Sequence, residues 1–161
     1  MTSAITTSGA SGVSTENLLS DDQVADFVIR GYHIVEPQFP AEFHSQVYGE
    51  LEALPTNPGD EINKAVPAID EVYEHPAVQG ALSSLLGGDY TRAAHRHCHR
   101  NYPGTRSQAW HQDSLNIPTL GDGHGRVSDH VQSVLVMYYP QDVASNMGPT
   151  ALIPGSHLFT A

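Results

Sequence analysis

His111 and Asp113 stand two apart in the run Trp110-His111-Gln112-Asp113. On extended backbone, residues i and i+2 project to the same side. An imidazole nitrogen and a carboxylate oxygen so placed can take adjacent positions on one metal ion. A second His from elsewhere in the chain would complete the two-His, one-carboxylate face of a non-haem Fe(II) centre and leave three positions open for a co-substrate and O2. The same spacing also describes a turn that holds a hydrogen-bonded His–Asp pair. With 10 His in 161 residues, chance alone supplies such a spacing roughly half a time.

A second constellation is His95-Arg96-His97-Cys98-His99. On a strand, His95, His97 and His99 share one face, and three imidazoles could hold Zn or Fe as in a cupin-like metal-binding protein. Side chains two apart on a strand are about 6.6–7 Å apart, so three in a row converge on one ion only with a bend. The other reading is a polar strand face that lines a pocket, with Arg96 and Arg100 on the opposite side. Cys98 lacks a positioned base and an oxyanion site in the sequence, and reads as a small buried residue. Gly121-Asp122-Gly123-His124-Gly125 lacks the Lys-Ser/Thr of a phosphate loop and reads as a loop over a site.

The elements that must position these residues follow from local signals. Ser20 caps a helix, Gln23 sits at the capping-box position, and Asp21 and Asp22 favour its positive end. Val24, Phe27 and Val28 form its apolar face, and Gly31 ends it. A second helix starts at Pro40, carries Phe43, Val47, Leu51 and Leu54, and stops at Pro55 and Pro58. Residues 55–70 read as loop. A third helix has Pro76 at its first position, then Val78, Leu82, Leu85 and Leu86, and closes at Gly87-Gly88. Strands are expected at Tyr32–Val35, 90–101, Val131–Tyr139 and Thr150–Ile153. Helices first and strands after predict an α+β or mainly β fold, with helices buttressing a β-barrel. The expected domains are a flexible tail over 1–17 and one folded unit over 18–161.

The net charge is -11, which sets the chain against phosphate backbones and anionic lipid. Neither nucleic acid nor a membrane is therefore an expected partner, although Arg92, Arg96 and Arg100 leave room for a local anion site. One cysteine excludes an intrachain disulfide. The N-terminus lacks a secretory signal, and the chain lacks a long apolar run. A cytoplasmic location is expected.

Trp110-His111-Gln112-Asp113 is followed, after the β run, by Met147-Gly148-Pro149-Thr150 and then Ile153-Pro154-Gly155-Ser156-His157. With Val24-Ala25-Asp26-Phe27 and Gly31-Tyr32 at the opening, these segments resemble the phytanoyl-CoA dioxygenase family over about residues 18–161. The resemblance implies a double-stranded β-helix, or jelly-roll, with N-terminal helices packed on it. It implies an Fe(II)- and 2-oxoglutarate-dependent oxygenase that uses O2 to hydroxylate a small organic substrate. His111 and Asp113 would bind the iron, and Asn101, Gln108 and Met137 would line the 2-oxoglutarate pocket. His157 is similar to a structural residue of the family. Family members with Gly or Ala at the carboxylate position can halogenate, so Asp113 implies hydroxylation or a related oxidation.

The family pattern also has a distal His and, about ten residues later, an Arg that pairs with the far carboxylate of 2-oxoglutarate. No residue of this sequence matches either, so the jelly-roll is expected to be incomplete at its C-terminus. The expectation is a truncated or split oxygenase, a barrel completed within a homo- or hetero-oligomer, or a non-catalytic partner subunit. His124 or His130 is an alternative source of the third ligand.

Overall fold

The computed structural model describes residues 13–93, 96–111 and 131–158. Among these, regular structure consists of five helices and several single 3-10 turns. Helix α1 spans Asp21–Arg30 and forms as its sequence dictates. The Gln23 amide N–H donates to the Ser20 hydroxyl at 3.3 Å, and the Ser20 N–H donates to the Gln23 side chain at 2.9 Å. Gly31 closes the helix at φ 83°, in the left-handed region where a Cβ is penalised.

Helix α2, Phe43–Ala53, buries Val47 completely and ends where Leu54 turns extended before Pro55. The loop expected over 55–70 needs correction. Residues Gly59–Glu61 form a 3-10 turn, followed by α3, Ile62–Ala65, and α4, Ala68–Glu74. Ile62 and Val66 are buried about one helical turn apart, and Val72 is buried on α4. Pro67 separates α3 from α4, because the residue before a proline is pushed out of helical geometry, and Val66 sits at φ -135° and ψ 81°.

Helix α5, Pro76–Leu86, starts at the expected proline. His75 caps it, its Nδ1 accepting from the Ala77 N–H at 3.2 Å. Val78, Gly80, Ala81 and Leu82 are buried. Gly80 has no alternative, because a Cβ there would collide with the backbone of Asn17. The tail expected over 1–17 is described from Val13 onward; within it, Thr15–Asn17 forms a 3-10 turn that packs on α5.

The core joins α2 through α5 to Cys98, which is buried as expected. Segment 96–100 lies over these helices with a strand's period of two. Arg96 and Arg100 are half-buried, while His97 and His99 are exposed. The Arg96 N–H donates to Asp60 at 2.8 Å, and the Asn57 amide donates to the Cys98 carbonyl at 2.5 Å. The Arg100 guanidinium donates to the Leu54 carbonyl at 3.2 Å and to that of Leu51. These are end carbonyls of α2, whose last turn carries no basic residue of its own. A cation supplied from segment 96–100 thus caps the helix.

Among the described residues no segment is paired as a strand, including those expected at 32–35, 90–101, 131–139 and 150–153. A β pattern reports a segment that can bury one face. A strand also needs a backbone partner, and here the Arg96 N–H and the Cys98 carbonyl bond to the Asp60 and Asn57 side chains. Likewise, the Tyr138 hydroxyl lies 2.8 Å from His44 Nδ1 on α2. No helix among the described residues is long and apolar enough to cross a membrane.

Candidate functional site

His111 is exposed, and its Nδ1 donates to the Ala109 carbonyl at 2.7 Å. That bond selects the tautomer whose Nε2 carries the lone pair, the arrangement usual for a metal-binding imidazole. The one described member of the expected iron pair therefore fits an ion. Asp113 lies outside the described residues, as do His95, His124, His130 and the loop 121–125. Among the described residues no three His, Cys, Asp or Glu side chains group as a metal site.

The three residues expected around 2-oxoglutarate are all exposed. One of them reaches the Gly148-Pro149-Thr150 segment directly, and a second touches a tyrosine that does. The Asn101 amide donates to the Gly148 carbonyl at 2.9 Å. On the other side, the Tyr139 hydroxyl lies 2.6 Å from the Thr150 hydroxyl and 3.8 Å from the Met137 sulfur. Asn101 and Tyr139 thus both bond to Gly148-Pro149-Thr150, and Met137 lies against Tyr139. Gln108 carries no contact that joins it to them.

Tyr139 and Thr150 were not singled out in the sequence. The available signal was alternation, since Tyr139 is two residues from Met137 and falls on the same side of an extended run. Tyr138, between them, turns the other way to His44. Burial pushes its phenol up to about 12.

His157 has the structural role expected of it. Its Nε2 donates to the Val28 carbonyl at 2.9 Å, and the Gly155 N–H donates to the Arg30 carbonyl at 2.9 Å. The Pro-Gly-Ser-His segment therefore satisfies carbonyls that the last turn of α1 leaves open. Gly31 makes this approach feasible, since a Cβ there would run into the His157 ring.

The anion site suggested by the arginines is not what Arg92 and Arg100 form. Arg92 pairs with Asp70 at 2.6 Å and stacks over the Tyr73 ring at 4.1 Å. Arg100 caps α2. A shallow apolar groove lined by Leu18, Leu19, Val24, Ala25, Asp21 and Ser84 shares no residue with the candidate site.

A family model described as Phytanoyl-CoA dioxygenase (PhyH) matches residues 12–160. The comparison with curated proteins finds no match, nor does the comparison with solved structures.

Proposed function

The chain belongs to the phytanoyl-CoA dioxygenase family, and from that premise we propose that it serves an Fe(II)- and 2-oxoglutarate-dependent oxidation of a small organic substrate. Membership carries the coarse statement, an oxygenase-type function. The finer assignment is our reading. His111 and Asp113 are two iron ligands, and Asn101, Gln108 and Met137 line the 2-oxoglutarate pocket. The fold of that reading is a jelly-roll, to which segments 90–101, 131–139 and 150–153 contribute strands.

The observation that supports the assignment is that Asn101 and Tyr139, which touches Met137, both bond to Gly148-Pro149-Thr150. It makes one wall out of residues that are far apart in sequence. Bound iron with 2-oxoglutarate and O2 supplies the power to oxidise a C–H bond. The chain's own residues orient and select. Ala109 fixes the His111 ring by accepting its Nδ1–H, so that Nε2 can face the ion. Asp113 provides an anionic oxygen where a halide would otherwise bind, which directs the chemistry to hydroxylation or a related oxidation. Asn101 and the Tyr139–Thr150 pair hold the wall against which a dicarboxylate is placed.

The test is anaerobic addition of Fe(II) and 2-oxoglutarate, read by the weak visible charge-transfer band of the chelate. Wild type is expected to show the band and His111→Ala to lose it. A titration repeated at rising protein concentration reports whether a partner copy completes the site. Wild-type protein that never develops the band would sink the reading.

A further inference from the structure

Among the described residues, the hydrogen bonds of segment 96–100 fall on one side. Arg96 is tied through its N–H to Asp60, Cys98 is buried with its carbonyl on Asn57, and Arg100 is pinned to the end of α2. The odd-numbered residues face the other way. His97 and His99 are both exposed, and their ring centroids lie 4.4 Å apart at an interplanar angle of 69°. Side chains two apart on a strand stand about 6.6–7 Å from one another, so these rings lean together.

Two neutral imidazoles this close can take adjacent positions on one ion. Exposed rings reorient within nanoseconds, so both can turn toward a common point. The anchored backbone beneath lowers the ordering cost of chelation. Among the described residues no third His, Cys, Asp or Glu joins the pair, and water can fill the remaining positions. Nitrogen donors with exchangeable water suit Cu(II), Ni(II) and Zn(II), with Cu(II) first in affinity. Mg(II) and Ca(II) require oxygen ligands and are excluded. We propose that His97 and His99 form a transition-metal site of their own, built from residues other than His111 and Asp113, which takes one divalent ion through two imidazoles and water.

This inference does not depend on the oxygenase reading, and the experiment separates the two. Metal-free protein is titrated with Cu(II) and followed by electron paramagnetic resonance, in wild type, His97→Ala, His99→Ala and His111→Ala. Ten histidines in the chain make the comparison of variants essential. The expected result is one equivalent with the signature of two nitrogen ligands in wild type and in His111→Ala, lost in both His97→Ala and His99→Ala. Circular dichroism should match wild type, because both side chains are exposed. The proposal is overturned if either His97→Ala or His99→Ala retains the equivalent, or if wild type binds none. Binding lost only in His111→Ala would also overturn it, by placing the ion at the other site.

Discussion

The hydroxyls of Tyr139 and Thr150 meet at 2.6 Å, and this pair joins the 131–139 segment to Gly148-Pro149-Thr150. Both side chains are exposed, so the bond competes with water and adds only about 0.5–1.5 kcal/mol. Its effect on a ligand wall can exceed its effect on stability. Tyr139→Phe is expected to weaken 2-oxoglutarate binding by roughly two- to tenfold, the equilibrium equivalent of about 0.4–1.4 kcal/mol, with little change in melting temperature. Titration of the Fe(II) protein with 2-oxoglutarate reads this directly. Unchanged affinity would show that the pair stands apart from the co-substrate.

Asn101→Ala removes the opposite tie to the same segment. The Gly148 carbonyl is left to water, so the stability cost should stay near 1 kcal/mol. Weaker 2-oxoglutarate binding is expected again. The double variant with Tyr139→Phe should lose less than the sum of the two, because both act through one segment. Strict additivity in a double-mutant cycle would argue against a shared wall.

His157→Ala should behave differently. It removes a donor from the α1 carboxyl end and leaves His111 untouched, so stability is expected to fall by about 0.5–1.5 kcal/mol with iron binding retained. Urea denaturation beside iron content tests both halves. Loss of iron without loss of stability would reverse the roles given to His157 and His111. Gly31→Ala should be at least as damaging, since it combines a positive φ with collision against the His157 ring.

Local instructions were the legible ones. Helix α1 carries its cap, its charge bias, its apolar face and its stop within Ser20–Gly31, and it folded as read. Pro76 and Gly87 bounded α5 in the same way. Helices α3 and α4 give little signal in the sequence, because Pro67 separates them and each is too short to show a period. Arg100 reaches back 46 and 49 residues to α2, and Tyr138 meets His44 across 94 residues. No periodicity encodes such contacts, because they arise only when separate elements pack. The candidate iron pair could be named from the sequence because His111 and Asp113 stand two apart in a segment that resembles the family's. Its surroundings could not, and Tyr139–Thr150 emerged only once two segments were laid together.

Arg100 offers a sharper test of packing. Its guanidinium reaches two carbonyls at the end of α2, a geometry that suits a planar fork and not a single ammonium. Arg100→Met should cost about 1.5–3 kcal/mol, as expected for hydrogen bonds from a charged donor. Arg100→Lys should recover only part of that. Equal stability of the Lys variant and wild type in urea would mean that charge alone, through the helix dipole, accounts for the contact.

The last prediction concerns alkaline pH. Burial pushes the Tyr138 phenol from 10.0 up to about 12, because the half-buried site disfavours the phenolate. A raised folded value means that the unfolded chain gives up its proton first. The stability linked to Tyr138 is therefore fully present below pH 10, and is lost progressively as pH rises from there through about 12. Urea midpoints measured across that window should fall with pH in wild type. In Tyr138→Phe the fall should be shallower, and it should not vanish, because burial also raises Tyr90. Tyr138→Phe gives up the hydrogen bond to His44 as well, so its midpoint at neutral pH should already lie below that of wild type. Parallel slopes in the two proteins would mean that Tyr138 is as well solvated in the folded chain as in the unfolded one, and that its contact with His44 does not anchor the 131–139 segment to α2.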